Sequence, residues 1–288
     1  MTVVVAIDPS QAAAQALDWA LEDASLHGDP VLAVAVYGYP SGVEYLGAAM
    51  PSEPPQSLEE EAQSEADSVL AAALARFGSD REVQASAQVI VGSTAQTLLE
   101  TAKDARLLVV GTRGVGALSR LVLGSVSSAV LHHARLPVVV VPAEHRPATS
   151  AQRRVVVGVD HSPSSAAALS WAAEQAALRH AVLVPAMVRP AAGDAGPEMA
   201  QLEGSERAAL LRAVRAAGAP SDLAIEPEVI VGQPAEGLLQ LAADADLLVV
   251  GSRGRGGFGS LLLGSTSTQC AQHARCPVAV LRPAPAQP

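Results

Sequence analysis

The chain repeats itself, and that repeat limits the possible folds more than any other feature of its 288 residues. VVVAIDPS, starting at Val3, returns as VVVGVDHS from Val155. VIVGSTAQTLLETAKDARLLVVGTRG (89–114) returns as VIVGQPAEGLLQLAADADLLVVGSRG (229–254). LVLGSVS (121–127) returns as LLLGSTS (261–267), and HHARLPVVVVP as QHARCPVAVLRP. The offset is 152 residues at the first pair and 140 at the later ones, so the second copy is shortened in one place, between its second strand and its second long helix. Two domains are expected, 1–143 and 154–288. The Pro-, Ala- and charge-rich stretch from Pro142 to Arg153 joins them, with 144–153 as the linker.

Within each copy, short β-branched runs alternate with Ala- and Leu-rich stretches. Strands are expected near 3–7, 31–37, 83–91, 106–111 and 137–142, and helices near 10–27, 57–77, 94–104 and 125–134. The strands are near-continuous apolar runs, the pattern of parallel strands covered on both faces. Pro9, and Ser162 with Pro163, mark helix starts. The alternation predicts an α/β fold of two tandem, doubly wound, five-stranded parallel sheets in the order 3-2-1-4-5, with helices on both faces. In that order the apolar fifth strands, PVVVVP and PVAVLRP, lie at sheet edges. Exposed apolar edges invite pairing. The two are expected to pair as an internal pseudo-dimer, and a homodimer of whole chains is a further expectation.

Composition removes several function classes. Aromatics make up 2% of the chain, too few for a base-stacking surface on single-stranded nucleic acid. The net charge is -10, and the basic footprint of a duplex-binding protein is missing, so no nucleic-acid partner is expected. No run of about 18 apolar residues spans a membrane. The N-terminus enters a strand without a charged leader, and the only cysteines, Cys270 and Cys276, fit no metal-site spacing. A cytoplasmic, reducing location is expected.

In doubly wound folds the ligand sits beyond the carboxyl ends of the strands, where the winding reverses. The order 3-2-1-4-5 makes strands 1 and 4 neighbours at that point, and the two best motifs follow those strands. After strand 4 comes Gly111-Thr112-Arg113-Gly114, nine residues, then Gly124-Ser125-Val126-Ser127. The second copy has Gly251-Ser252-Arg253-Gly254, nine residues, then Gly264-Ser265-Thr266-Ser267. Glycines permit φ > 0 and a close backbone approach to a ligand. Gly-Ser-x-Ser opening a helix offers free N–H groups, a helix dipole and two hydroxyls, a combination suited to phosphate. One copy alone reads equally well as a flexible loop with an N-cap, but the same spacing after the same strand, twice, favours binding. A Walker-type loop needs Gly-Lys-Ser/Thr, and the only lysine, Lys103, is elsewhere. The GxGxxG match at Gly254, Gly256 and Gly259 lacks the ribose-binding acid about 20 residues on and reads as accidental.

The pattern G-xx-G, nine residues, G-Ser, with an Asp ending strand 1, resembles the ATP-binding type of universal stress protein. The resemblance covers nearly the whole chain, twice. It implies that Asp8 and Asp160 contact the adenine end of a nucleotide. Gly111, Gly114, Gly124, Ser125 and Ser127, and Gly251, Gly254, Gly264, Ser265 and Ser267, would hold ribose and phosphates. The amides of Val126 and Thr266 would face the phosphates, and Val36 and Met187, late in strand 2, would flank adenine. The implied ligand is ATP, with or without Mg²⁺, in two equivalent sites of a stress-response regulator. Two rival readings are a slow ATPase or phosphotransferase, and a structural stress module without nucleotide. Against the enzyme stand the lack of a matched general base and of a Walker lysine. Other residues have plainer alternatives. Asp8 and Asp160 also read as helix caps. Arg113, Arg253 and Arg255 read as solvated loop residues as well as phosphate contacts. His133 and His273 read as helix C-terminal caps, Glu59 to Glu65 as a solvated helix face, and loop 38–56 as a cover for the first site or a free loop.

Overall fold

In the first half of the computed structural model, β1 (Val3–Ala6), β2 (Val31–Tyr37), β3 (Ala85–Val91), β4 (Leu107–Gly111) and β5 (Val138–Val141) alternate with α1 (Gln11–His27), α2 (Gln56–Phe77), α3 (Thr94–Thr101) and α4 (Ser125–His133). The second half repeats the plan in the order β6 (Arg154–Gly158), α5 (Pro163–Leu178), β7 (Val182–Arg189), α6 (Pro197–Ala216), β8 (Glu228–Val231), α7 (Pro234–Leu241), β9 (Leu247–Gly251), α8 (Ser265–His273) and β10 (Val278–Leu281). The structure describes residues 1–37, 56–78, 82–114, 123–145, 152–189, 197–254 and 263–283. Nearly all of loop 38–56, together with Arg255, Gly256 and Gly259, lies outside the described residues.

Each half follows the expected order 3-2-1-4-5, but the two sheets are one. The strand order is β3-β2-β1-β4-β5-β10-β9-β6-β7-β8. Pairing is parallel within each half and antiparallel at the junction, where Val138 faces Val280 and Val140 faces Val278. β5 and β10 are buried along their whole length, so leaving either at an open edge would expose apolar chain and unpaired backbone. Because the junction is antiparallel, the strands of the two halves run in opposite senses, and their carboxyl ends point to opposite sides of the sheet.

The helices cover both faces. Val3, Val5, Val155 and Val157 pack with α1, α2, α5 and α6, while Val4, Leu108, Val156 and Leu248 pack with α3, α4, α7 and α8. Each cluster draws on both halves, so the core is continuous across the junction. Ala16, Ala20 and Ala24 of α1 are fully buried, and these small side chains let the helix lie close to the sheet. No helix among the described residues is long and apolar enough to cross a membrane.

A charged cluster ties the halves together on the α1 side. Asp23 is fully buried; Arg106 Nη2 donates to its Oδ2 at 2.6 Å and Arg179 Nη2 to its Oδ1 at 3.0 Å. The Arg179 guanidinium lies over Trp19, 5.2 Å from the ring centroid. Arg106 also pairs with Asp29, which receives the Met1 ammonium at 2.8 Å. Burial alone would raise the Asp29 carboxyl, but hydrogen bonds from the ammonium and from Arg106, with their charges, outweigh it and hold it below 3.8. A carboxyl depressed in the folded state adds stability above its unfolded value and loses it as the pH falls through the folded value. Asp29→Asn is therefore expected to lower stability at pH 7, with the gap to wild type closing toward pH 3. Urea titrations of both proteins at the two pH values check this.

Helix α1 begins at Ser10, whose hydroxyl accepts from Ala13 N–H, and closes at Gly28 with φ 68°. The matching residue of the second half is His180, which holds φ 51°. A non-glycine residue pays about 1–2 kcal/mol for the left-handed region. His180→Gly is expected to raise stability by about 1 kcal/mol, less the added freedom of glycine in the unfolded chain. Denaturant unfolding measures it; a loss of stability would contradict the strain assigned to His180.

Candidate functional site

At the carboxyl ends of β1 and β4, and again of β6 and β9, the sheet opens into two cavities of 540 and 450 Å³. Both fall within the range of small-molecule sites. Each is apolar at its floor and polar at its rim. Ala6, Val34, Val36 and Val110 form the first floor, with Leu98 beside them. Gly158, Ala186, Val188, Val250 and Leu238 form the second.

Val36 thus stands where expected, and Met187 does not. Residues of β7 alternate between faces: Ala186 and Val188 turn toward the cavity, while Met187 packs into the opposite cluster beneath α5 and α6. The sheet register pairs Val5 with Ala33 and Val157 with Pro185, which sets Val188 opposite Val36 in the repeat. One residue of slippage along a strand moves a side chain to the other face. Val188, and not Met187, is the residue there that lines the cavity.

The acids at the ends of β1 and β6 line the cavities, but they do not cap the helices. The N-caps are Ser10 and Ser162, whose hydroxyls accept from Ala13 N–H (3.2 Å) and Ser165 N–H (3.1 Å). Asp8 Oδ1 accepts from Ser10 N–H at 2.9 Å, and Asp160 Oδ1 from Ser162 N–H at 3.0 Å. Each serine then donates across the crevice, Ser10 Oγ to Arg113 O at 3.2 Å and Ser162 Oγ to Arg253 O at 3.1 Å. The loop after β1 is thereby tied to the loop after β4, and the pair recurs in the second half. The serine two places after each Asp was legible in both copies of the repeat; its bracing role was not.

The loop glycines supply room rather than unusual dihedrals. None of the six at the sites has positive φ. A Cβ on Gly111 would fall 2.7 Å from the Ala12 carbonyl carbon, and one on Gly251 2.8 Å from that of Ser164, so these two let the helix start pack against the strand end. A Cβ on Gly114 would fall 2.5 Å from Asp8 Oδ2, and one on Gly254 2.6 Å from Asp160 Oδ2. Each carboxylate thus packs directly against the glycine, where any side chain would collide with it.

Gly124 and Gly264 are the N-caps of α4 and α8. Each donates its N–H back to the strand-4 loop, to Thr112 O at 2.8 Å and to Ser252 O at 2.7 Å. The amides of Ser125, Val126 and Ser127, and of Ser265, Thr266 and Ser267, fall in first helical turns, where no intrahelical acceptor exists. All six residues line the cavities. The two serines of each motif differ in role. Ser125 and Ser265 are exposed at the rim. Ser127 and Ser267 are buried and donate to backbone carbonyls, Ser127 to Thr112 O at 3.0 Å and Ser267 to Gly251 O at 2.6 Å. Arg113 and Arg253 reach the lining.

Other candidates lie apart. His133 and His273 are exposed in the last turns of α4 and α8 and line neither cavity. Cys270 and Cys276 are free, buried thiols, and burial pushes both up to about 12, so neither is a thiolate near neutral pH. No cluster of three or more metal-ligating side chains occurs among the described residues.

The family model of the universal stress protein family matches the chain twice, over residues 1–142 and 152–282. A universal stress protein of Mycolicibacterium smegmatis is 37% identical over 292 residues, covering 98% of this chain and 97% of that protein. One of Mycobacterium bovis is 32% identical over 304 residues, covering 97% and 94%. The crystal structure of a universal stress protein from Archaeoglobus fulgidus superimposes with a TM-score of 0.70 at 21% identity, over 98% of this chain and 96% of that one, and so shares the fold. With both halves matched and relatives aligned over nearly their whole length, the chain belongs to the universal stress protein family, in tandem form.

Proposed function

We propose that the chain is an ATP-binding regulator that holds one adenine nucleotide in each half and acts through its conformation. The observation that carries this reading is the same cavity built twice from the same parts. Each has an apolar floor, a carboxylate on one side and the open first turn of a helix on the other. Unpaired amides, the helix dipole and the rim hydroxyl of Ser125 or Ser265 favour phosphate there. Gly114 and Gly254 fit the same reading, because any side chain there would push against the acid.

The reading places the protein in the cytoplasm, in a stress response, with its protein partner unnamed. The fifth-strand edges are used up inside the chain, so a homodimer of whole chains would use other surfaces. Calorimetry with ATP is expected to give a stoichiometry near two. Gly114→Glu and Gly254→Glu should each remove one site, since the new carboxylate crowds the existing acid and repels phosphate. A wild-type protein that releases no adenine nucleotide on denaturation, and takes up none, would defeat the reading.

A regulator is favoured over an ATPase on the same geometry. The site offers amides, a hydroxyl and an arginine, groups that bind the ground state of a phosphate chain. Equal binding of substrate and transition state does not raise the chemical rate. The buried hydroxyls of Ser127 and Ser267 are committed to backbone carbonyls. Turnover is expected to be far below the common enzyme median of about 10 per second. Phosphate release counted per site over hours, with Mg²⁺ present, checks it. Fast multiple turnover lost in Ser125→Ala with Ser265→Ala would promote the enzyme instead.

A further inference from the structure

We propose that Arg282, a residue of the second half, is a positioning residue of the first site and couples the two sites to each other. The inference rests on the nucleotide reading above. Arg282 Nη2 donates to Leu131 O at 2.9 Å and to His132 O at 2.7 Å, carbonyls in the last turn of α4. The first turn of that helix carries the amides of Ser125 to Ser127, which line the first cavity. Nine residues long, α4 spans about 13 Å. Its head is in one site and its tail is on a residue from the other half.

The opposite side of Arg282 belongs to the second site. Leu281, its neighbour, pairs with Gly251 of the second cavity's lining, and Leu281 O accepts from Ser252 N–H at 2.7 Å. Arg253 follows in the same loop and lines the same cavity. Burial holds the Arg282 guanidinium below its ordinary value, and the like charge of Arg253 adds to the effect. The antiparallel junction creates this arrangement. It sets the carboxyl end of β10 beside the amino end of β5, under the tail of α4. The mirror-image bridge is missing, because the residue matching Arg282 is Pro142, which has no side-chain donor to offer α8.

A phosphate held by the Gly251–Gly254 loop would steady the bond from Ser252 N–H to Leu281 O and, through that strand, the adjoining Arg282. Arg282 would then hold the α4 carbonyls more firmly, through charge-assisted bonds at the negative end of the helix dipole. A steadier α4 presents its first-turn amides to the first site at lower ordering cost. Occupancy of the second site therefore raises affinity at the first, and linkage makes the effect mutual.

The test uses the full chain and ATP, with Gly254→Glu closing the second site. First-site affinity is expected to be at least about fivefold weaker in Gly254→Glu than in wild type with the second site filled, the lower end of ordinary coupling. In an Arg282→Gln background that difference should vanish. A purely structural role for Arg282 would lower the melting temperature and leave the difference intact, which would overturn the proposal. Equal first-site affinity in wild type and Gly254→Glu would also overturn it, while the nucleotide reading stands. Absence of ATP binding at both sites would remove both. If Arg282→Gln does not fold, Arg282→Lys, which keeps the charge on a single ammonium, takes its place: an undiminished coupling there, with wild-type coupling present, sinks the assignment to the guanidinium, and a reduced one supports it.

Discussion

The antiparallel pairing of β5 with β10 is the interaction on which the rest of this structure depends. Four valines of one strand meet Val-Ala-Val-Leu of the other, all buried. The junction turns two five-stranded sheets into one and merges their cores on both faces. It also reverses the strand sense, so the two cavities open at opposite sides of the sheet. Each short helix behind the glycine loop then runs from its own site back toward the rim of the other. Without the junction, Arg282 would have no α4 carbonyls to meet, and α1 would not bring Asp23 to Arg179.

That second contact is what makes the duplicated halves unlike each other. The position matching Asp23 is Gln175, and the one matching Arg179 is His27, so a pairing of like halves would set Asp23 against His27 and Arg179 against Gln175. Gln175 Oε1 accepts from Arg179 Nε at 3.0 Å and helps satisfy the guanidinium that Asp23 neutralises. A buried ion pair adds little net stability over an apolar contact of the same volume, but losing one partner costs about 3–5 kcal/mol. Two second halves paired together would leave the buried Arg179 without a carboxylate and incur that penalty; the pairing within the chain avoids it. The charges thus select which half meets which, and the apolar strands supply the driving force.

Most of this architecture was legible in the sequence because repeat and periodicity are strong signals. Two copies of each motif set the strand order within a half, and apolar fifth strands implied that they would meet. Side-chain direction was less visible. Met187 and Val188 differ by one position, and only the sheet register tells which of them turns toward the cavity. The glycines were recognisable as necessary, yet for a reason no spacing reveals: Gly114 makes way for Asp8, and Gly111 for Ala12. Likewise, Gly-Ser-x-Ser reads as two equivalent hydroxyls, whereas the helical turn places the first at the rim and folds the second under it. Arg282 and Asp23 act between the halves, so their partners sit about 150 residues away, and no local pattern points to them.

The position of the acid relative to the helix N-terminus bears on how any ligand would lie in these cavities. One side of each cavity presents a carboxylate, an acceptor that repels negative charge. The other presents amide donors at the positive end of a helix dipole. A ligand with donor groups at one end and anionic groups at the other gains from both in one orientation and loses from both when reversed. The serine braces tie the loop of Asp8 to the loop of Arg113, and the loop of Asp160 to that of Arg253. A rigid, polar cavity of this kind discriminates by direction rather than by shape alone. The helix that presents the amides is bonded at its tail, in the first half, to a residue of the second. The proposed output of binding therefore passes through α4 to the junction between the halves.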